Sequence, residues 1–360
     1  MKHMYIHIPF CRHICSYCDF CKMFKNDEMI DKYLDVLRKE IEEYYNDEEM
    51  ETVYIGGGTP SCLNSNQLNK LFSRLSDVKV KKDYEYTFEC NPCDINEELI
   101  DILVKNKVNR LSIGIESFDI DNLGFMERKV EFKDIQNKIN MIRNKGINNI
   151  NLDLIYGIPE ENIKTLKKDL LLLVKLKPNH ISTYSLQIEK HTKIYNEGIN
   201  PVNEDLDSKM YFTIINYLKK HKYNHYEISN FALKGYESRH NLSYWNNEEY
   251  YGFGLGASGY IDGFRYDNTR NLSRYISEDY HLNESLLSLD DKIYDEVMLG
   301  LRKMKGINLK EFEDKYGVKF EDKYDIDSLI KNKELIIKDG YVFISPKYLY
   351  LINEILIKIL

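Results

Sequence analysis

Cys11, Cys15, Cys18 and Cys21 crowd one short segment, while Cys62, Cys90 and Cys93 stand alone or as a pair. The spacing Cys11-x3-Cys15-x2-Cys18 puts three thiols on one loop, and thiolates are the usual ligands of a cubane iron–sulfur cluster. Three local ligands leave one iron open to another molecule. A structural zinc site instead closes on four protein ligands, often two separated Cys-x2-Cys pairs. Cys21 can close either kind of site, and Cys90-x2-Cys93 can join Cys18 and Cys21 as the second half of a zinc site. Spacing alone leaves both metals open.

Other residues carry chemistry further along. Gly56-Gly57-Gly58-Thr59-Pro60 follows an apolar run; glycine there permits close backbone approach to a ligand, and the same run could form a tight turn or an anion nest. Glu89 precedes Cys90-Asn91-Pro92 at the end of another run, where a capped strand end is the plainer reading. Asp153 is an acid within an apolar strand, and a buried acid needs partners. His240-Asn241-Leu242-Ser243-Tyr244-Trp245 sets a histidine among aromatics. It fits either an axial ligand in a porphyrin pocket or a satisfied core histidine. His7 fits packing or hydrogen bonding, and His13, inside the cysteine loop, is expected to be exposed.

These residues need a scaffold. The 360 residues suit one large α/β barrel or two to three domains. Hydrophobic residues are 43% and charged residues 30% of the chain, as in globular proteins. Fifty basic against 58 acidic residues give a formal charge of −8, which excludes a strongly basic nucleic-acid binder. The N-terminal apolar run is too short and broken for a signal peptide, and no stretch approaches the roughly 18 apolar residues of a membrane span. A cytoplasmic location is therefore expected, where clustered cysteines favour metal or redox chemistry over disulfides.

Strands are expected at Met4–Ile8, Thr52–Ile55, Tyr84–Cys90, Arg110–Glu116, Asn149–Tyr156 and His180–Gln187. Helices are expected near Met29–Tyr45, Asn66–Leu75, Asn96–Lys105, Phe132–Lys145, Ile163–Leu176 and Leu206–Lys220. Six strand-then-helix units imply a parallel sheet with right-handed crossovers. An open doubly wound sheet and a barrel both fit. The partial barrel is preferred because the distinctive residues recur just past strand ends, where barrel active sites collect. The expected division is a partial barrel over 1–225, a Tyr/Gly-rich connecting segment over 226–285, and a smaller C-terminal α+β domain of winged-helix type over 286–360.

The run Tyr5-Ile6-His7-Ile8-Pro9-Phe10-Cys11, continued by Cys15-Ser16-Tyr17-Cys18-Asp19-Phe20, resembles the signature of the radical S-adenosylmethionine (SAM) superfamily. It is most similar to the branch of oxygen-independent coproporphyrinogen III oxidases and their heme-chaperone (HemW-type) relatives. The resemblance implies a partial (β/α)6 barrel in which Cys11, Cys15 and Cys18 hold a [4Fe-4S] cluster and SAM chelates the fourth iron. It places Tyr5 and Tyr17 beside the cofactors, with Tyr17 shielding the cluster. Gly57, Gly58 and Thr59 would receive the SAM amino group, and Glu89 would be a further SAM contact. Glu116, in Gly114-Ile115-Glu116-Ser117, stands where glutamine is usual; a carboxylate can still accept from ribose hydroxyls. Arg128 would pair with the SAM carboxylate, Asp153 would hold ribose, and Ser185 would touch adenine. Cys21, Cys62, Cys90 and Cys93 become bystanders.

The same resemblance brings heme, with His240 of the His-Asn-x-x-Tyr-Trp motif as its ligand. Two functions follow: a chaperone that passes heme to acceptor proteins, or a decarboxylase that acts on coproporphyrinogen III through a 5′-deoxyadenosyl radical. The resembling decarboxylases carry an extension before the cysteine loop, and here Cys11 lies near the start of the sequence, so the chaperone is expected. Expected partners are heme and heme acceptors, with no nucleic acid, and a homodimer is compatible. A zinc-stabilised barrel with a binding role is the reading from outside the superfamily.

Overall fold

Along each expected strand, polar and apolar residues alternate, and the computed structural model, which describes residues 2–360, shows why. Six strands run parallel in sequence order: β1 (His3–Ile8), β2 (Met50–Gly57), β3 (Val80–Cys90), β4 (Arg110–Glu116), β5 (Asn149–Tyr156) and β6 (His180–Ser185). One set of alternate residues, including Ile6, Ile55, Phe88, Leu111, Leu152 and Ile181, is buried in the core against the helices. The other set is polar and meets side chain to side chain inside the curved sheet. Thr52 bonds His3, Arg110 reaches Thr87, and Asn151 bonds both Ser112 and His180. This is the period-2 logic of a strand with an apolar outer face and a polar inner one.

The crossover helices are α1 (Asp27–Tyr44), α2 (Ser65–Leu75), α3 (Glu97–Lys105), α4 (Phe132–Asn144), α5 (Ile163–Lys175) and α6 (Glu204–Lys220). Five of these six begin at an asparagine whose side chain accepts a backbone N–H of the first turn: Asn26, Asn64, Asn96, Asn162 and Asn203. A short polar cap satisfies donors that a helix start leaves open. Asparagine is thus the recurrent cap of the barrel helices.

The sheet continues past residue 225. β7 (Asn224–Glu227) and β8 (Asn230–Ala232) add antiparallel beyond β6, and β9 (Tyr251–Phe253) pairs parallel with β1. The full order is β9-β1-β2-β3-β4-β5-β6-β8-β7. The segment expected as a connector over 226–285 therefore supplies β8, β9 and the end of β7 to the main sheet. It also supplies α7 (Arg239–Trp245), which carries the His240 motif against the N-terminal ends of β2 and β3. A three-stranded antiparallel sheet follows, β10 (Ser258–Ile261), β11 (Phe264–Asn268) and β12 (His281–Leu286). The last part begins with helix α8 (Leu289–Gly300). A second small sheet there joins β13 (Ile307–Asn308), β14 (Leu335–Lys338) and β15 (Tyr341–Ile344). Among the described residues no helix is long and apolar enough to cross a membrane.

Candidate radical SAM site

The C-terminal ends of the parallel strands surround a cavity of about 450 Å3. Cys11, Cys15, Tyr17 and Cys18 line one wall. Gly57, Gly58 and Thr59 line the next, and Glu89, Glu116, Arg128, Asp153 and Ser185 complete it. The ends of all six parallel strands, or the loops that follow them, thus converge on one face, as in other barrels.

The cysteine loop is fixed by backbone and side chain. Met23 N–H donates to Pro9 and Lys25 N–H to Cys11, so the loop leaves and returns at one point. Thr59 Oγ1 donates to Cys11 Sγ at 3.2 Å, and Arg128 Nη1 donates to Cys15 Sγ at 3.4 Å. Burial pushes the Cys11 thiol up to about 11 while the Thr59 bond works against this, and burial also raises Cys18. Metal binding would draw off those protons. A β-carbon on Gly58 would lie 2.8 Å from the Pro9 carbonyl carbon and 3.0 Å from Cys11 Sγ, so only glycine allows this approach. Three soft thiols around one side of a cavity whose other walls are polar fit a cluster with an open iron. The zinc alternative calls for Cys90 and Cys93 side by side with Cys18 and Cys21. Cys90 is buried in the core, and Cys93 is exposed on a turn.

Three of the carboxylates that line the cavity stand on strands β3, β4 and β5, each held differently. Glu89 accepts from Tyr54 Oη at 2.6 Å and from Gly57 N–H at 3.1 Å. Burial lifts its carboxyl to about 7, against the pull of the Tyr54 bond. Asp153 accepts from Asn151 Nδ2 at 2.8 Å and Ser112 Oγ at 3.3 Å, and burial raises it too. Glu116 ends β4 at φ 67°, a left-handed conformation rare for a non-glycine residue. That turn swings its carboxylate back over Gly114, where a β-carbon would meet Glu116 Oε1 at 2.8 Å. It comes to rest 3.7 Å from Arg128, whose Nη2 donates to the Gly114 carbonyl at 2.5 Å. Ser117 and the Phe118 N–H are both tied to Asp169 of α5, which anchors the strained strand end. Ser185 donates to Asp207 at 2.6 Å.

Two expected site residues lie elsewhere. Tyr5 does not line the cavity; it sits deeper in the barrel, bonded to His7 Nδ1 at 2.9 Å with its ring 6.1 Å from that of Tyr54. His240 is buried at the opposite end of the barrel. Its Nδ1 is 2.7 Å from Thr52 Oγ1, its Nε2 is 2.7 Å from Tyr244 Oη, and its ring stacks on Tyr54 at 5.0 Å. With both nitrogens engaged, His240 offers no lone pair to an iron, contrary to the heme-ligand expectation. Sequence reasoning passed over Tyr54, Ser112 and Gly114. Each sits two residues from another inward residue, so strand parity could have found them.

Comparison with known proteins agrees with this geometry. The chain matches the model of the radical SAM superfamily over residues 5–173 and that of the HemN C-terminal domain over 287–351. Coproporphyrinogen III oxidase (HemN) from Escherichia coli superposes with a TM-score of 0.88 at 22% identity, covering 99% of this chain and 89% of that one. Fold and site thus define a radical SAM protein with a smaller C-terminal domain, and the class implies a [4Fe-4S] cluster and SAM. The heme chaperone HemW of Lactococcus lactis is 38% identical over 99% of this chain and 96% of its own length. That of Bacillus subtilis is 38% identical over 88% and 87%. The chain belongs to the HemW family of radical SAM proteins.

Proposed function

We propose that this protein is a cytoplasmic heme chaperone that binds heme and passes it to acceptor proteins, with the cofactor pair of its superfamily beside the cargo. The observation that carries this reading is the near full-length likeness to relatives named heme chaperones. In this reading Cys11, Cys15 and Cys18 hold the cluster. Gly57, Gly58 and Thr59 present backbone and hydroxyl groups to the amino group of SAM, and Arg128 takes its carboxylate through a planar fork. Asp153 and Glu116 hold the ribose hydroxyls, Glu89 is held ready by Tyr54, and Ser185 borders the adenine end. Bound together, cluster and SAM supply one-electron chemistry; the protein excludes water and orients the pair.

The decarboxylase reading has the shared fold in its favour. The test is anaerobic reconstitution followed by iron analysis and titration with SAM and heme. About four irons per chain with saturable binding of both ligands is expected. Zinc retention without a brown chromophore, or absence of heme binding, would contradict the proposal.

A further inference from the structure

Heme binding, as proposed above and on which the following rests, needs an axial ligand, most often a histidine. That histidine must present a free ring nitrogen beside apolar surface for the macrocycle. Of the nine histidines, His3, His7, His180 and His240 are buried with both ring nitrogens in hydrogen bonds. His225 stacks on Phe231 at 4.4 Å with its Nε2 near the Ile228 carbonyl. His281 is wedged between Tyr44 and Tyr266, at 5.2 and 5.0 Å. His221 bonds the Tyr217 carbonyl among surface lysines, and His191 lies on an exposed turn between Lys190 and Thr192.

His13 differs from all of these. It lies on the cysteine loop, lines the mouth of the cavity, and is exposed. Its nearest carboxylate, Glu127, is 3.8 Å away, too far for a hydrogen bond. Beside it on the same rim are Ile14, half-buried, and Phe20, 64% exposed. Lys22 completes the patch. Its ammonium donates to the Cys18 carbonyl and forms no ion pair among the described residues, with Asp19 and Glu189 on the same rim. A planar apolar macrocycle with an iron at its centre and propionates at one edge matches this set: nitrogen ligand, apolar face and cation.

We propose that heme docks across the mouth of the cavity with His13 as its axial ligand, Phe20 and Ile14 against the ring, and Lys22 facing a propionate. The neutral imidazole donates a lone pair to the iron in place of water, and no bond within the protein is broken.

The test is titration of cluster-loaded protein with hemin, and with ferrous heme, followed by the Soret band. His13→Ala is expected to weaken heme binding by about tenfold or more and to lose the histidine-ligated spectrum, which added imidazole restores. His240→Gln is expected to keep that spectrum. Lys22→Ala should weaken binding less and leave the spectrum unchanged. Iron content of each variant shows that the cluster loop is intact; if His13→Ala loses iron, His13→Gln replaces it in the same comparison. Wild-type affinity and spectrum in the His13 variants would overturn the assignment while leaving heme binding standing. Failure of the unaltered protein to bind heme would instead overturn the reading on which it rests.

Discussion

The Glu116 carboxylate stands 3.7 Å from the Arg128 guanidinium, with both side chains almost closed to solvent. Arg128 also donates to the Cys15 thiol, so one cation serves the cluster loop and the cofactor wall together. Burial raises the Glu116 carboxyl to about 7, and Arg128 opposes the rise. Above that pH the carboxylate competes with the SAM carboxylate for Arg128. Glu116→Gln keeps the shape and removes the competing charge. SAM affinity at about pH 8 should rise roughly three- to tenfold, while the two proteins converge near pH 6, where Glu116 is itself protonated. Calorimetric titration at both pH values checks this. Weaker binding by the variant throughout would mean that the charge itself holds the cofactor.

Gly58 faces the Pro9 backbone and the Cys11 thiol at distances no β-carbon tolerates. Gly58→Ala should displace the cysteine loop while leaving the hydrophobic core untouched. Iron per chain after reconstitution should fall well below that of the unaltered protein, with little change in melting temperature. Full iron loading would show that the loop can yield.

Glu40 of α1 is buried and accepts from Gly254 N–H at 2.9 Å and from Asn268 Nδ2 and Tyr275 Oη, both at 2.5 Å. It thus fastens the first helix to the segment after β9. Burial raises its carboxyl to about 7. The folded state therefore holds this proton more tightly than the unfolded chain. Stability from that proton is complete below the ordinary carboxylate range and is lost as pH rises through about 7. Chemical denaturation should show a loss of up to about 3 kcal/mol from this group between about pH 5 and pH 8. Glu40→Gln should flatten that part of the slope.

An unbroken chain of hydrogen bonds closes the far end of the barrel: Glu248 to His3 at 2.8 Å, His3 to Thr52 at 2.9 Å, Thr52 to His240 and His240 to Tyr244, each 2.7 Å. If His3 donates to Glu248, every proton in the chain points the same way, with Tyr244 donating to His240. Removing the central ring by His240→Ala leaves Tyr244 without its partner and Thr52 with His3 alone. The cost in denaturant unfolding should be about 2–4 kcal/mol. A loss below about 0.5 kcal/mol would show that the ring is not structural.

Much of this was legible in the chain. β4 and β5 have the expected ends because their apolar runs stop sharply at polar or glycine-containing segments. The cysteine, glycine and acid motifs converge because each follows a parallel strand, and parallel strands all end on one face. β7, β8 and β9 were not legible: strands of three or four residues are too short to show a period, and distant pairing creates them. Tyr5 and His240 failed for a related reason. Alternation gives the face of the sheet on which a residue lies but not its depth along the barrel. Tyr5 does point inward, yet one layer below the cavity, and His240 reaches the opposite end through a helix that joins no strand pattern. The left-handed turn at Glu116 had no signal either, since it is imposed by the bulge between β4 and β5.

The central claim is that the cavity serves heme delivery. The direct test is an anaerobic assay of cluster-loaded, SAM-bound protein with a reductant, run against heme on one side and coproporphyrinogen III on the other. The account predicts that bound heme passes to an apo acceptor protein while coproporphyrinogen III is recovered unchanged. Sustained formation of protoporphyrinogen, with no transfer of heme, would contradict it.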